Sequence, residues 1–253
     1  RQRRTQRALR IAGAVQKRML PEVTPKLAGI DLAAKYQPSQ EIGGDFYDLF
    51  KVHDKLGILV GDVVGKGVVA GMLMSAVRAT VRAYADLSET LDVVMNRTND
   101  AVCRDTTVSE FVTMWYGTIC PETRVLSSVV AGHDMPLLLR RDEHGRYGLV
   151  KIAGEGMVVG VIPGERYTMN EIPLQPNDVL IAFTDGITDA ADFENQRFGK
   201  GRLLDSAMGL LAENPDASAN DVLERVFWSM RQFSGLASQA DDETLVVVRI
   251  TDR

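Results

Sequence analysis

Apolar residues in the first segment recur at helical spacing. Ala8, Ile11, Ala12, Val15 and Met19 fall on one face, and arginines occupy much of the rest. Pro21 and Pro25 end the pattern. A basic helix of this kind, ahead of a compact domain, suits a connector or coiled-coil arm better than core. From Gly29 the period changes. Ile30 to Tyr36, Asp45 to Val52 and Leu56 to Val63 read as strands, the second alternating imperfectly around Phe46, Leu49 and Phe50. Gly65 and Gly67 break the third strand. An Ala- and Met-rich helix is predicted over Val68 to Tyr84, and another from about Thr90 to Cys103.

Strands then resume at Phe111 to Cys120, Val125 to Val130, Leu137 to Arg140, Tyr147 to Ile152, Tyr167 to Ile172 and Val179 to Thr184. Asp142-Glu143-His144-Gly145 reads as a hairpin turn. Helices follow near Arg202 to Ala212 and Asn220 to Phe233, with Leu223, Val226, Phe227, Met230 and Phe233 as a core-facing stripe. Leu245 to Ile250 is the final strand. Runs of strands and runs of helices, rather than strict alternation, predict an α+β layered domain in which helices cover two antiparallel sheets.

Composition changes this picture little. The 253 residues are 45% hydrophobic and 25% charged, ordinary values for a folded domain. A net charge of -5 gives no support for nucleic-acid binding. The local basic stretch of Arg1, Arg3, Arg4, Arg7, Arg10, Lys17 and Arg18 reads first as the solvated face of a helix, with membrane or nucleic-acid contact as the other readings. Two cysteines, Cys103 and Cys120, form neither a disulfide framework nor a CxxC motif, which fits a reducing cytoplasm. No apolar run approaches the roughly 18 residues of a membrane helix. The chain starts with Arg, so a segment of a longer protein with an upstream region is expected.

Four acidic segments carry the candidate chemistry: Glu41-Ile42-Gly43-Gly44-Asp45, Gly61-Asp62-Val63-Val64-Gly65-Lys66-Gly67, Thr184-Asp185-Gly186 and Asp241-Asp242-Glu243-Thr244. Each ends or borders an apolar run. Alone, each is weak: Asp-Gly is first a turn dipeptide, and Gly65 to Gly67 lacks P-loop spacing. Together, carboxylates at strand ends can converge on hard divalent cations such as Mg²⁺ or Mn²⁺. Two ions about 3.5–4 Å apart would activate water for in-line attack on a phosphoryl group, with no covalent enzyme intermediate.

In that order these segments resemble the bacterial PP2C-like (PPM) serine/threonine phosphatases of the SpoIIE/RsbU type. The matching text is Glu41 to Asp48, Gly61 to Gly67, Ala131-Gly132-His133, Phe183 to Asp189 and Asp241 to Thr244. The resemblance runs from about residue 16 to the end. It implies an α/β/β/α sandwich with two metal ions between the sheets. Asp62 would bridge both ions and the Val63 carbonyl would bind one. Asp185 and Asp241 would complete the direct ligands, and Asp45 would hold metal-bound water or join the ligand shell. Asp48, Lys66 and Asp242 stand as second-shell candidates, with a structural role equally open for Asp48. The resemblance further implies a phosphoserine or phosphothreonine protein as substrate, often a STAS-domain anti-anti-sigma factor in a partner-switching circuit.

Val64 stands where wider relatives carry a leaving-group histidine, and Gln40 lies near where they carry a phosphate-binding arginine. Lys66 or metal-bound water would then protonate the leaving group. His133 reads as a hydrogen-bonded turn residue before a general acid or metal ligand. The expected domains are a linker helix over 1–25, joined through Gln16 to Pro21 to an upstream sensor, and a phosphatase domain over 26–253. Control is expected through the helix that follows the Asp62 loop, at Val68, Met72 and Ala76, and the N-terminal helix offers a route to a homodimer. A noncatalytic binding module of the same fold and a hydrolase of small phosphoesters are the alternatives.

Overall fold

Strands whose two faces are both covered carry apolar residues at nearly every position, and this chain has several. In the computed structural model, which describes residues 2–21, 24–87 and 90–252, the chain runs α1 (Gln2–Met19), β1 (Ile30–Gln37), β2 (Phe46–Val52), β3 (Lys55–Val63), α2 (Val68–Leu87) and α3 (Leu91–Val102). It continues β4 (Val112–Cys120), β5 (Val125–Ala131), β6 (Leu137–Arg141), β7 (Tyr147–Val150), β8 (Asn170–Pro173) and β9 (Val179–Phe183). It closes with α4 (Asp185–Thr188), α5 (Gly199–Glu213), α6 (Ala219–Ser234) and β10 (Glu243–Ile250). Arg1, in the basic stretch, and residues 22 and 23, in the expected linker, lie outside the described residues.

The strands form two five-stranded sheets, ordered β1-β10-β9-β6-β7 and β2-β3-β4-β5-β8, and their neighbours pair antiparallel. Alternation along β10 shows how they stack. Val246, Val248 and Ile250 face the other sheet, while Leu245 and Val247 face α5 and α6. In the second sheet, α2 and α3 cover the outer face through Met74, Val77, Val81, Val94 and Met95. The result is the expected helix–sheet–sheet–helix layering. Coverage on both faces explains why β2 and β3 alternate imperfectly in sequence: Leu56, Ile58, Leu59 and Val60 are all fully buried.

Two local readings differ from expectation. The strand expected over Tyr167 to Ile172 is only Asn170–Pro173. Before it, the Tyr167 N–H donates to the Asn96 side chain, so that backbone leaves the ladder. Asp185-Gly186 does not sit in a simple turn but opens the short helix α4, whose preceding Thr184 is extended. Along α2 the Ala/Met stretch is split by burial, with Ala70 and Met74 buried and Met72 69% exposed. Ala76 and Val68 are exposed too, so these positions present a face to solvent and to α1 rather than to the core. A Ser218–Asp221 capping box starts α6. Among the described residues no helix is long and apolar enough to cross a membrane.

Candidate metal centre

Strand pairing brings the acidic segments together. Phe46 of β2 pairs with Gly61 of β3, so the preceding Asp45 and the following Asp62 meet at one sheet edge. In the other sheet Leu245 pairs with Phe183, and the Thr184 N–H donates to the Thr244 carbonyl at 3.1 Å. Asp185 and Asp241 therefore flank the same strand junction. Close backbone approach is what Gly186 provides: a Cβ there would collide with the Asp242 carbonyl oxygen. Gly44 plays a similar part across the gap. A Cβ on it would lie 2.7 Å from the Val63 carbonyl oxygen and 3.4 Å from Asp62 Oδ1, so those two oxygens share one side of the Gly44 backbone.

Asp62 and Asp185 line one cavity of about 190 Å³ together with Thr113, Gly132, His133 and Asp134. Burial, then the charges of Asp185 and Asp241, push the Asp62 carboxyl up to about 7. Burial and the neighbouring Asp62 charge push Asp45 well above the carboxylate range, against hydrogen bonds from Thr184 and Thr244 that pull it down. Asp185 is raised by desolvation and then by Asp241, Asp189 and Asp134. Carboxylates that raise one another in this way mark a site with surplus negative charge and hard oxygen donors, and this donor set suits a divalent cation. Among the described residues no three His, Cys, Asp or Glu side chains are yet drawn tightly enough to close on an ion.

The supporting contacts were only partly foreseen. Buried Asp45 Oδ2 accepts from Thr184 Oγ1 at 2.5 Å and Thr244 Oγ1 at 2.7 Å, which aims its carboxylate. Both threonines lie inside the acidic motifs, but only their place across a strand pair reveals the role. Asp242 does not face the cavity. Its carboxylate accepts from Ser39 N (2.7 Å), Ser39 Oγ (2.9 Å), Gly44 N (2.8 Å) and Asp45 N (3.4 Å), and so holds the loop that presents Asp45. Asp242→Ala strands buried N–H groups of that loop. We expect it to cost about 2–4 kcal/mol in urea unfolding, with Asp242→Asn costing less because one acceptor oxygen remains.

Asp48 is fully buried and bound into α2 rather than into the cavity. Arg82 Nε and Nη2 donate to it at 2.5 and 2.7 Å, and Arg78 Nε lies 3.0 Å away as a charge neighbour without hydrogen-bond alignment. Of its two readings the structural one fits. Lys66 pairs with Asp241 at 2.9 Å and donates to the Ala240 carbonyl. It is thus committed to a carboxylate at the rim. His133 Nδ1 lies 2.8 Å from Thr113 Oγ1 and Nε2 lies 3.1 Å from the Phe183 carbonyl. Burial lowers it to about 4, so it is neutral, with Nε2–H donating to the carbonyl. It ties β4 to the end of β9, as a hydrogen-bonded turn histidine should. Asp134, beside it, lines the cavity and pairs with Lys200 at 2.8 Å; nothing in its own sequence context singles it out.

Residues 53–251 match the family model Stage II sporulation protein E (SpoIIE). Protein IcfG of Synechocystis sp. is 27% identical over 92% of this chain, and the chain spans 40% of that protein. Phosphoserine phosphatase RsbU of Bacillus subtilis is 24% identical over 95% of the chain, which spans 69% of it. The SiaA-PP2C domain of Pseudomonas aeruginosa superposes with a TM-score of 0.79 at 22% identity, over 98% of this chain and 97% of that one. The catalytic domain of serine threonine protein phosphatase PstP, solved with 2 manganese ions, shares the fold at a TM-score of 0.58 and 16% identity, over 88% of this chain and 99% of its own.

Proposed function

Because the chain belongs to the SpoIIE family and has the PP2C-type fold, we propose that it is a metal-dependent protein serine/threonine phosphatase. The observation that carries this reading is the convergence of four distant segments: Asp62 and Asp185 line one cavity, Asp241 lies near enough to raise both of their carboxyls, and buried Asp45 is raised in turn by Asp62. Mn²⁺ or Mg²⁺, two ions in this reading, would be held by Asp62 between them, with the Val63 carbonyl, Asp185 and Asp241 completing the set and Asp45 in the ligand shell. When bound, such ions supply Lewis acidity for activating water and neutralising phosphoryl charge. The chain's own residues do the positioning. Thr184 and Thr244 aim Asp45, Asp242 holds its loop, and Lys66 partly offsets the charge of Asp241. Neutral His133 pins the strand end from which Asp185 projects.

The substrate in this reading is a phosphorylated STAS-domain protein in the cytoplasm, and an upstream sensor acts through α1. Support for linker control comes from Gln16 of α1. Its Nε2 donates to the Gly43 carbonyl at 2.7 Å and its Oε1 accepts from Gly43 N at 3.1 Å, so the linker helix grips the loop carrying Asp45. An apolar groove of about 520 Å³ lies between α1 and the Val68 and Met72 face of α2, beside that grip. Movement of α1 would shift the loop and the α2 start together, favouring or disfavouring a metal-competent arrangement. A homodimer through α1 would use the same exposed stripe of Ile11 and Val15.

Phosphate release from serine-phosphorylated STAS-domain proteins, measured with Mn²⁺, with Mg²⁺ and with chelator, tests the activity. Release is expected with metal and is abolished by chelator. Release that continues at the same rate in chelator would refute metal dependence.

A further inference from the structure

The segment between α4 and α5 folds into a small projection. Asp192 Oδ1 accepts from Glu194 N and Gln196 N, both at 2.9 Å, and Ala191 bridges to Arg197. Phe193 stands on it, 74% exposed. Opposite, α6 closes at Gly235, whose φ of 59° is left-handed, and Leu236 follows at 92% exposure. A Cβ on Gly235 would lie 3.9 Å from the Phe193 ring edge, so the two segments meet. A cleft of about 380 Å³ runs between them, and its wall continues into Gly186 and Asp241 of the acidic site. Ser234 lies in that wall, and its buried hydroxyl has no hydrogen-bond partner. Arg197 lines the cleft as well, 69% exposed at its side chain and using one N–H on Asp189.

We infer that this cleft and its Phe193–Leu236 rim are the docking surface for the phosphorylated protein substrate; the inference rests on the phosphatase reading above. Single exposed apolar residues are ordinary. Here Phe193 stands about one van der Waals contact from Gly235, Leu236 is the next residue along, and the neighbours of both, Ala191, Asn195, Ser234 and Ala237, line a cleft that also reaches Asp241. A small phosphoester at the carboxylates would touch neither Phe193 nor Leu236. A folded protein presenting a phosphoserine would cover both, and aromatic anchors of this kind supply most of the energy in protein contacts. The remaining N–H groups of Arg197 then face the substrate chain and suit an anionic group.

The test compares Phe193→Ala/Leu236→Ser with the unaltered chain on two substrates in Mn²⁺: a serine-phosphorylated STAS-domain protein and p-nitrophenyl phosphate. We expect kcat/KM for the phosphoprotein to fall about tenfold or more through KM. Hydrolysis of p-nitrophenyl phosphate should stay within about twofold, which also reports an intact fold. An unchanged phosphoprotein kcat/KM overturns the docking surface, as do equal losses on both substrates. A loss that coincides with dissociation of a dimer in sedimentation shows that a second copy covers the rim, and overturns it too. If the unaltered chain hydrolyses the small ester but no phosphoprotein, the protein-phosphatase reading fails, and the docking surface with it.

Discussion

Asp62→Asn and Asp185→Asn should each lower phosphate release by on the order of 10³ or more, a loss of about 4 kcal/mol of transition-state stabilisation. Asn keeps the shape and one acceptor oxygen but removes the charge that would hold a divalent ion. Folding should not suffer. In the metal-free protein these carboxyls repel one another, and Asp62 is raised chiefly by burial and then by Asp185 and Asp241. Removing one charge relieves that repulsion, so at pH 8 in chelator the Asp62→Asn protein should melt a few degrees above the unaltered chain, as about 1 kcal/mol would give in a domain of this size. Activity and stability thus move in opposite directions. A variant that is inactive because it is unfolded, or one that keeps full turnover, would contradict the site as described. The pairing matters because a purely structural carboxylate behaves otherwise: replacing buried Asp48 leaves Arg78 and Arg82 without their partner and should lower stability.

The second large effect is a reversal in how stability depends on pH. Asp62 in the folded chain titrates at about 7 against an ordinary 3.8, and Asp45 and Asp185 are shifted the same way. Between those values the folded state holds protons that the unfolded chain has released. The resulting stability is fully present below about pH 4 and is lost as pH rises through about 7. A shift of this size corresponds to a few kcal/mol across the cluster. Metal-free protein should therefore melt at lower temperature at pH 8 than at pH 5.5. Mn²⁺ binds the ionised form, so its stabilisation should grow with pH, reaching about 2.7 kcal/mol at a hundredfold excess over Kd. Calorimetry across that range should give a melting temperature that falls with pH in chelator and is nearly flat in Mn²⁺, because the ion-bound folded state and the unfolded chain then hold the same number of protons. Parallel slopes would show that the titrating carboxylates are not the ones that receive the ion.

Much of the architecture was legible because burial leaves a periodic trace. The α1 stripe, the α6 stripe and the apolar runs of β3, β9 and β10 each follow from local spacing, and their boundaries fall within a few residues of expectation. Where a side chain captured the backbone, as Asn96 does at Tyr167, local pattern misjudged the strand. The acidic motifs were also visible, since Gly beside Asp at a strand end is a local signal.

What each acidic residue does was not local. Asp45, Asp48 and Asp242 look alike in a list, yet one is aimed by two threonines, one is tied to two arginines of α2, and one carries the loop that presents the first. Their partners lie 30 to 203 positions away along the chain. The exposure of Phe193 beside Leu236 is of the same kind, since only packing decides which apolar side chains stay outside. By itself, the order of residues determined the helices, the strands and the family to which the carboxylates belong. Which carboxylates meet, and what aims them, was decided only by the tertiary structure, because strand register and sheet stacking join segments between which sequence spacing carries no distance information.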